Sequence, residues 1–168
     1  MPNLFHVILE EFEKEVDGTR RQLERIPGAK LTWRPHAKSM TIGELGMHIA
    51  SNPEMIANLI ALDGMDMSEM GFGPAQPSST DEIMQCFQSG TEKCRNTLSR
   101  MDESAAFSPW KLTRDGGTIF EAPKIGLARS FFLNHLYHHR GELQVYLRLL
   151  DVPVPSLFGP SADENPFA

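Results

Sequence analysis

The sequence predicts an all-α chain folded as a four-helix bundle. Four segments of about 20 residues repeat apolar positions at steps of three and four, the period of an amphipathic helix. Gly- and Pro-containing stretches separate them. At 168 residues, with 40% hydrophobic and 23% charged side chains, the chain can fill a core without disulfides and is not disordered. We expect one domain over residues 1–168.

The first helix is expected from about Leu4 to Ile26, along Phe5, Ile8, Phe12, Val16, Thr19, Leu23 and Ile26. Pro27-Gly28 ends it. The second runs from about Ile42 to Leu62. Thr41 is its N-cap, and Glu44, three residues on, completes a capping box. Leu45, His48, Asn52, Met55, Leu59 and Leu62 form its seam. Pro53 lies inside this pattern. It removes one backbone donor and crowds the carbonyl of Ile49, so a kink is expected there.

Asp63 to Ser79 is rich in Gly, Pro and Met and reads as a long loop that could cover a site or meet another chain. The third helix begins near Thr80, with Ser79 and Glu82 at capping-box spacing. It continues to about Met101 through Ile83, Phe87, Gly90, Cys94, Thr97 and Met101. Asp115-Gly116 signals a tight turn, so a short β-hairpin is expected before the last helix. That helix runs from Lys124 or Gly126 to about Leu150. Pro153 to Ala168 is expected to extend over the surface. Both connections around the third helix are long, and periodicity does not choose the order in which the helices run.

Sixteen Lys and Arg against 22 Asp and Glu give a net charge of −6, which argues against nucleic-acid binding. No apolar run reaches the roughly 18 residues of a membrane span. The first residues lack the basic and apolar blocks of a signal peptide. Cys86 and Cys94 lie about 12 Å apart on one helix, too far to bridge. A cytoplasmic location is expected.

Half of the six histidines lie within His135-Leu-Tyr-His138-His139. His135 and His139 are i and i+4, so they stack on one helix face and can converge on one metal ion. Ala128, Phe132, His135, His139, Glu142, Tyr146 and Leu149 form one stripe, which directs the pair into the bundle. Two neutral, hydrogen-bonded core histidines would satisfy the same pattern. His48, on the seam of the second helix, could supply a third imidazole. Imidazole suits zinc, nickel, iron and copper. Three protein ligands leave positions open for water or substrate.

Leu31-Thr-Trp33-Arg-Pro35, followed by Ser39-Met-Thr41-Ile-Gly-Glu-Leu-Gly-Met-His48-Ile-Ala, resembles the first metal-ligand segment of the DinB superfamily. His135-Leu-Tyr-His-His139-Arg140-Gly141-Glu142 resembles its second and most specific motif. Val152-Pro-Val-Pro155 through Ala162-Asp163-Glu164 is similar to family endings. The resemblance covers nearly the whole chain. It implies an up-down-down-up bundle, frequent homodimers, and a divalent metal held by His48, His135 and His139. His138 is not a ligand by that pattern, and it sits about 100° around the helix from His139. Zinc is the first expectation for the metal and nickel the next; iron or manganese also fit.

An open His₃ site lowers the pKa of a bound water or thiol. The expected function is therefore a metal-dependent thiol S-transferase or hydrolase, with a small-molecule substrate such as a low-molecular-weight thiol. The alternative is a non-catalytic metal-binding or stress-response bundle acting through dimerisation. A site closed by a fourth protein ligand would favour that alternative. No nucleic-acid or membrane partner is expected. The metzincin His-Glu-x-x-His pattern is absent, and no catalytic residue is assigned.

Asn134 and Glu142 are candidates to orient an imidazole, Glu142 the better because it shares the stripe. Arg140 reads as a structural ion pair on another face, and Gly141 as a point of close helix approach. Cys94 reads as a small buried hydrophobe before a redox thiol. Trp33 and Trp110 fit a pocket mouth or the core. Met40, Met47, Met55, Met65, Met67 and Met70 are irregularly spaced, so they read as flexible packing and not a soft-metal site. His6 and His36 have no partner at ligand spacing.

Overall fold

A computed structural model describes residues 3–69, 73 and 75–167. Among them the chain is mostly helical, with a small three-stranded sheet. Helix α1 spans Leu4–Leu23, α2 Ile42–Ala61 and α3 Thr80–Leu98. Strands β1 (Gly64–Asp66), β2 (Pro109–Arg114) and β3 (Gly117–Pro123) form the sheet. The last helical segment has three parts. These are α4 (Lys124–Leu127), a π-helical stretch Ala128–Asn134, and α5 (His135–Leu149).

The expected caps are present. Thr41 and Glu44 form the reciprocal capping box of α2. Ser79 accepts from the Glu82 amide, but the Glu82 carboxylate turns to the amide and hydroxyl of Ser78. Half of that box has therefore moved one residue outward. Asn3 caps α1 through the amide of Phe5.

The core gathers Phe5, Phe12 and Leu23 of α1 with Ile49, Ile56 and Ile60 of α2, Ile83 and Leu98 of α3, and Phe132. Phe12 and Phe132 stack at 4.7 Å between ring centroids. Each fully buried side chain of this size contributes about 1.5–3 kcal/mol. Helix α2 is buried on more faces than its expected seam, because α3 and α5 both pack on it. A Cβ on Gly90 would sit 3.2 Å from the Glu54 amide, so α2 and α3 approach backbone to backbone there.

Polar pairs fix how the helices lie. Along α1, Glu13 pairs with Arg95 at 2.5 Å, and Asn3 donates to the Met101 carbonyl at 2.9 Å. Glu11 pairs with Arg129 and Glu15 with Arg140. Along α2, Gly46 packs on Ile83, and Glu54 pairs with Lys93 of α3 at 2.8 Å. On the α2 face toward α5, His48 meets His139, and Asn52 meets Phe131 and His135.

The hairpin turns at Asp115 (φ 51°) and Gly116 (φ 77°), the pair of positive φ values a type I′ turn requires. Trp110 is buried, and its indole N–H donates to the Leu59 carbonyl at 3.0 Å, tying the sheet to α2. Part of the expected Asp63–Ser79 loop departs from that reading. Gly64–Asp66 pairs with β2 in parallel. Backbone contact drives this pairing, since a Cβ on Gly64 would lie 2.6 Å from the Lys111 carbonyl. Gly-Met-Asp carries no alternating apolar pattern to announce a strand. Met70 lies outside the described residues.

The C-terminal tail has no helix or strand among its described residues, yet it is clamped. Val154 is buried, and its amide donates to Asp163 at 2.7 Å. Asp163 pairs with Arg148 at 2.6 Å, and Glu164 pairs with Arg21 and Arg25 of α1.

Candidate metal centre

The capping box starts α2 at a fixed residue and so sets the angle at which His48 leaves that helix. Its Nε2 lies 3.1 Å from His139 Nε2 and 3.2 Å from His135 Nε2. His135 and His139 Nε2 are 2.8 Å apart. The three rings meet edge to face, and all three residues are half-buried.

The expected stripe on the last helix needs a correction. Its most buried face is Ala128, Phe132, Leu136, Arg140, Leu143 and Leu147. His135, His139, Glu142 and Tyr146 form the neighbouring stripe, and Leu149 is exposed. The cause is the π-helical stretch just before His135. A π turn holds more residues than an α turn, so counting by three and four across it slips by one position. The histidines therefore edge the core and are half-buried.

The π-helical stretch also frees a carbonyl. The His135 amide donates to Phe132, not to Phe131 four residues back. The Phe131 carbonyl instead accepts from Asn52 Nδ2 at 3.2 Å and faces the His135 ring. Asn52 Nδ2 is also 3.2 Å from His135 Nδ1. On the other ligand, His139 Nδ1 donates to Glu142 Oε2 at 2.6 Å. Glu142 is thus placed to orient an imidazole. Asn134 is not, being exposed and turned from the rings; Asn52 stands in that role. The available signal for Asn52 was its i+4 spacing from His48 on the same seam.

Other candidates fall outside the centre. His138 is 64% exposed and 3.4 Å from Glu142. Arg140 makes its ion pair with Glu15 on the α1 side. Nothing comes within 4 Å of a Cβ built on Gly141, so no helix packs closely there. Cys94 is buried beside Glu13, and burial pushes its thiol up to about 12. That thiol is inert. Trp33 packs edge-on against Tyr146 at 5.8 Å, while Trp110 belongs to the core. His6 faces the Ser99 carbonyl, and His36 accepts from the Lys38 amide.

Burial, reinforced by the neighbouring His139 and His135, drives the His48 pKa down to about 4. Burial likewise lowers that of His135. Both rings are neutral at neutral pH and have a lone pair to offer a cation. Tetrahedral zinc with bonds of about 2.0–2.1 Å spaces its nitrogens at about 3.3 Å. The Nε2 triangle is only slightly smaller, so the donor set fits such an ion. Among the described residues, no further His, Cys, Asp or Glu joins this group of three. His138, His139 and Glu142 form a second convergent group, but it shares His139 with the first.

The sequence profile of the DinB superfamily matches residues 11–143. The chain belongs to the DinB superfamily. Two solved structures are similar to it. A DinB-like protein from Bacillus cereus ATCC 10987 is 18% identical, with a TM-score of 0.68 over 89% of this chain and 94% of that one. A DinB-like protein from Bacillus subtilis is 21% identical, with a TM-score of 0.68 over 89% and 96% of the two chains. At these identities the likeness establishes the fold alone. No curated protein matches the chain. No helix among the described residues is long and apolar enough to cross a membrane.

Proposed function

We propose that this DinB-superfamily chain binds a divalent metal ion through His48, His135 and His139 and is an enzyme of the thiol S-transferase or hydrolase type. The observation that carries this reading is the Nε2 triangle, with sides of 2.8, 3.1 and 3.2 Å and no fourth protein donor among the described residues. A metal so held lowers the pKa of a thiol or water at its open position. Zinc suits the all-imidazole set best, with nickel, iron and manganese as compatible ions. The chain's own groups hold the arrangement. Glu142 keeps a proton on His139 Nδ1, which leaves Nε2 free to bind. The substrate we favour is a low-molecular-weight thiol attacking an electrophile.

We further propose an up-down-down-up order for the four helical segments. Its support is the direction of the pairings. Contacts of α1 with the last helical segment ascend together (Glu11 to Arg129, Glu15 to Arg140), as do those of α2 with α3 (Gly46 to Ile83, Glu54 to Lys93). Those of α1 with α3 and of α2 with α5 run in opposite senses.

The deciding experiment is metal content. Protein purified without tag or chelator should carry near one metal per chain by inductively coupled plasma mass spectrometry, and His48→Ala should lose it. Absence of metal after reconstitution with zinc, nickel, iron and manganese would reduce the triad to core packing. The second reading, a non-catalytic dimeric bundle, draws on Val145 and Leu149. These lie one turn apart on α5 and are 58% and 57% exposed. A dimer by light scattering, without metal, would favour it.

A further inference from the structure

We propose that His138 and Glu142 form a second, weaker divalent-cation site on the solvent side of the triad, and that a cation bound there weakens the hold of His139 on the first. The coupling rests on the metal reading above; the outer site itself does not.

His138 is the one histidine of its cluster that the triad leaves unused. It is 64% exposed, and its Nε2 lies 3.4 Å from Glu142 Oε1. The two residues are i and i+4 on α5, so they stand one turn apart on one face. As an ion pair this contact does little, because Glu142 is itself 40% exposed and water screens both groups. As a chelate it is well spaced. A tetrahedral zinc ion with bonds of about 2.0–2.2 Å sets its nitrogen and oxygen donors about 3.3–3.4 Å apart. Imidazole and carboxylate are both ordinary ligands of that ion.

The two oxygens of Glu142 divide the work. Oε2 accepts from His139 Nδ1 at 2.6 Å, and Oε1 faces His138. His139 therefore touches both groups, with Nε2 toward His48 and His135 and Nδ1 toward Glu142. It keeps its Nδ1 proton. The outer cation then has two protein ligands, His138 Nε2 and Glu142 Oε1, and water completes its shell. Two protein ligands against three make this the weaker site, filled only when metal is in excess.

The shared carboxylate couples the sites. A cation on Oε1 draws charge away from Oε2, and the hydrogen bond from His139 weakens. His139 is then a poorer donor through Nε2. Two dications on either side of one imidazole also repel each other. Linkage makes the effect mutual, so an ion in the triad weakens the outer site by the same factor. The outer site is a brake that excess metal applies to the inner one.

The test is equilibrium dialysis of the full chain against buffered free zinc, read as zinc per chain, with imidazole ¹H–¹⁵N correlation spectra at each step. Zinc should enter in two steps, and the second should move the ring resonances of His138. His138→Ala should lose the second step and keep the first; the side chain is 64% exposed, so the change leaves the fold alone. His48→Ala should lose the first step and take up the outer zinc at a free concentration at least about 5-fold lower than the native chain does. A single step in the native chain, or a second step that survives His138→Ala, would overturn the outer site and leave the triad standing. An outer step at the same free zinc in His48→Ala would overturn the brake. Zinc uptake lost in His138→Ala but unchanged in His48→Ala would bear out the outer site and sink the triad instead.

Discussion

Arg140 and Glu15 form an ion pair at 2.5 Å, and Arg140 is 3% exposed. The guanidinium also donates to Gln22 at 3.3 Å, while Gln22 donates back to the Arg140 carbonyl at 3.1 Å. The Phe158 ring lies 5.5 Å away on its other side. His139 and Arg140 are thus consecutive residues with opposite duties. One faces the triad and the other bolts α5 to α1.

Breaking that bolt on one side strands a buried charge. Arg140→Leu should destabilise the fold by about 3–5 kcal/mol in urea unfolding. Adding Glu15→Leu should recover most of the loss, because neither charge is then left unpaired.

Ligand identity separates the three histidines from their neighbour. His48→Ala, His135→Ala and His139→Ala should each strip metal, whereas His138→Ala should keep most of it. Equal loss from His138→Ala, measured as metal per chain, would sink the assignment.

Glu142→Gln keeps the size of the side chain but loses the charge that holds the proton on His139 Nδ1. Metal affinity should fall about 10-fold by chelator competition, with the thermal midpoint of chelated protein little changed.

The depressed pKa of His48 sets an acid limit. The folded chain keeps this ring neutral down to about 4, while the unfolded chain protonates it near its ordinary value of 6.5. The unfolded state therefore binds more protons across that interval, and stability falls as pH drops from 6.5 towards 4. Urea midpoints in chelator should show this slope in the native chain and less of it in His48→Gln.

The tail clamp should resist acid much further. Backbone donation from Ser156, together with Arg25 and Arg21, holds the Glu164 carboxyl at about 2. Its contribution is fully present above the ordinary carboxylate value of 4.5 and is lost progressively as pH falls from there through about 2. Limited proteolysis at pH 4 should leave the tail intact in the native chain and cut it in Glu164→Ala.

Much of this was legible in the sequence, for local reasons. Thr41-x-x-Glu44, Asp115-Gly116 and the i, i+4 pair His135 and His139 each encode their geometry within a few residues. The parallel pairing of Gly64–Asp66 was not legible, because it depends on backbone from a distant strand. The role of Asn52 was only half legible: its i+4 spacing from His48 places both on one face, but the Phe131 carbonyl it also holds depends on the π-helical stretch. The stripe on the last helix was misplaced by one residue for the same cause. A seam counted at steps of three and four assumes a uniform helix.

The π-helical stretch makes chain length itself a determinant of the site. A stretch that holds more residues than an α-helix of the same length can give one up by tightening to α geometry, with α4 and α5 left in their seats. The directions of His135 and His139 would then survive the deletion. What would change is the Phe131 carbonyl, which regular α geometry returns to the His135 amide and takes from Asn52. A homologue one residue shorter here should therefore keep the three histidines together and lose the support that Asn52 draws from Phe131.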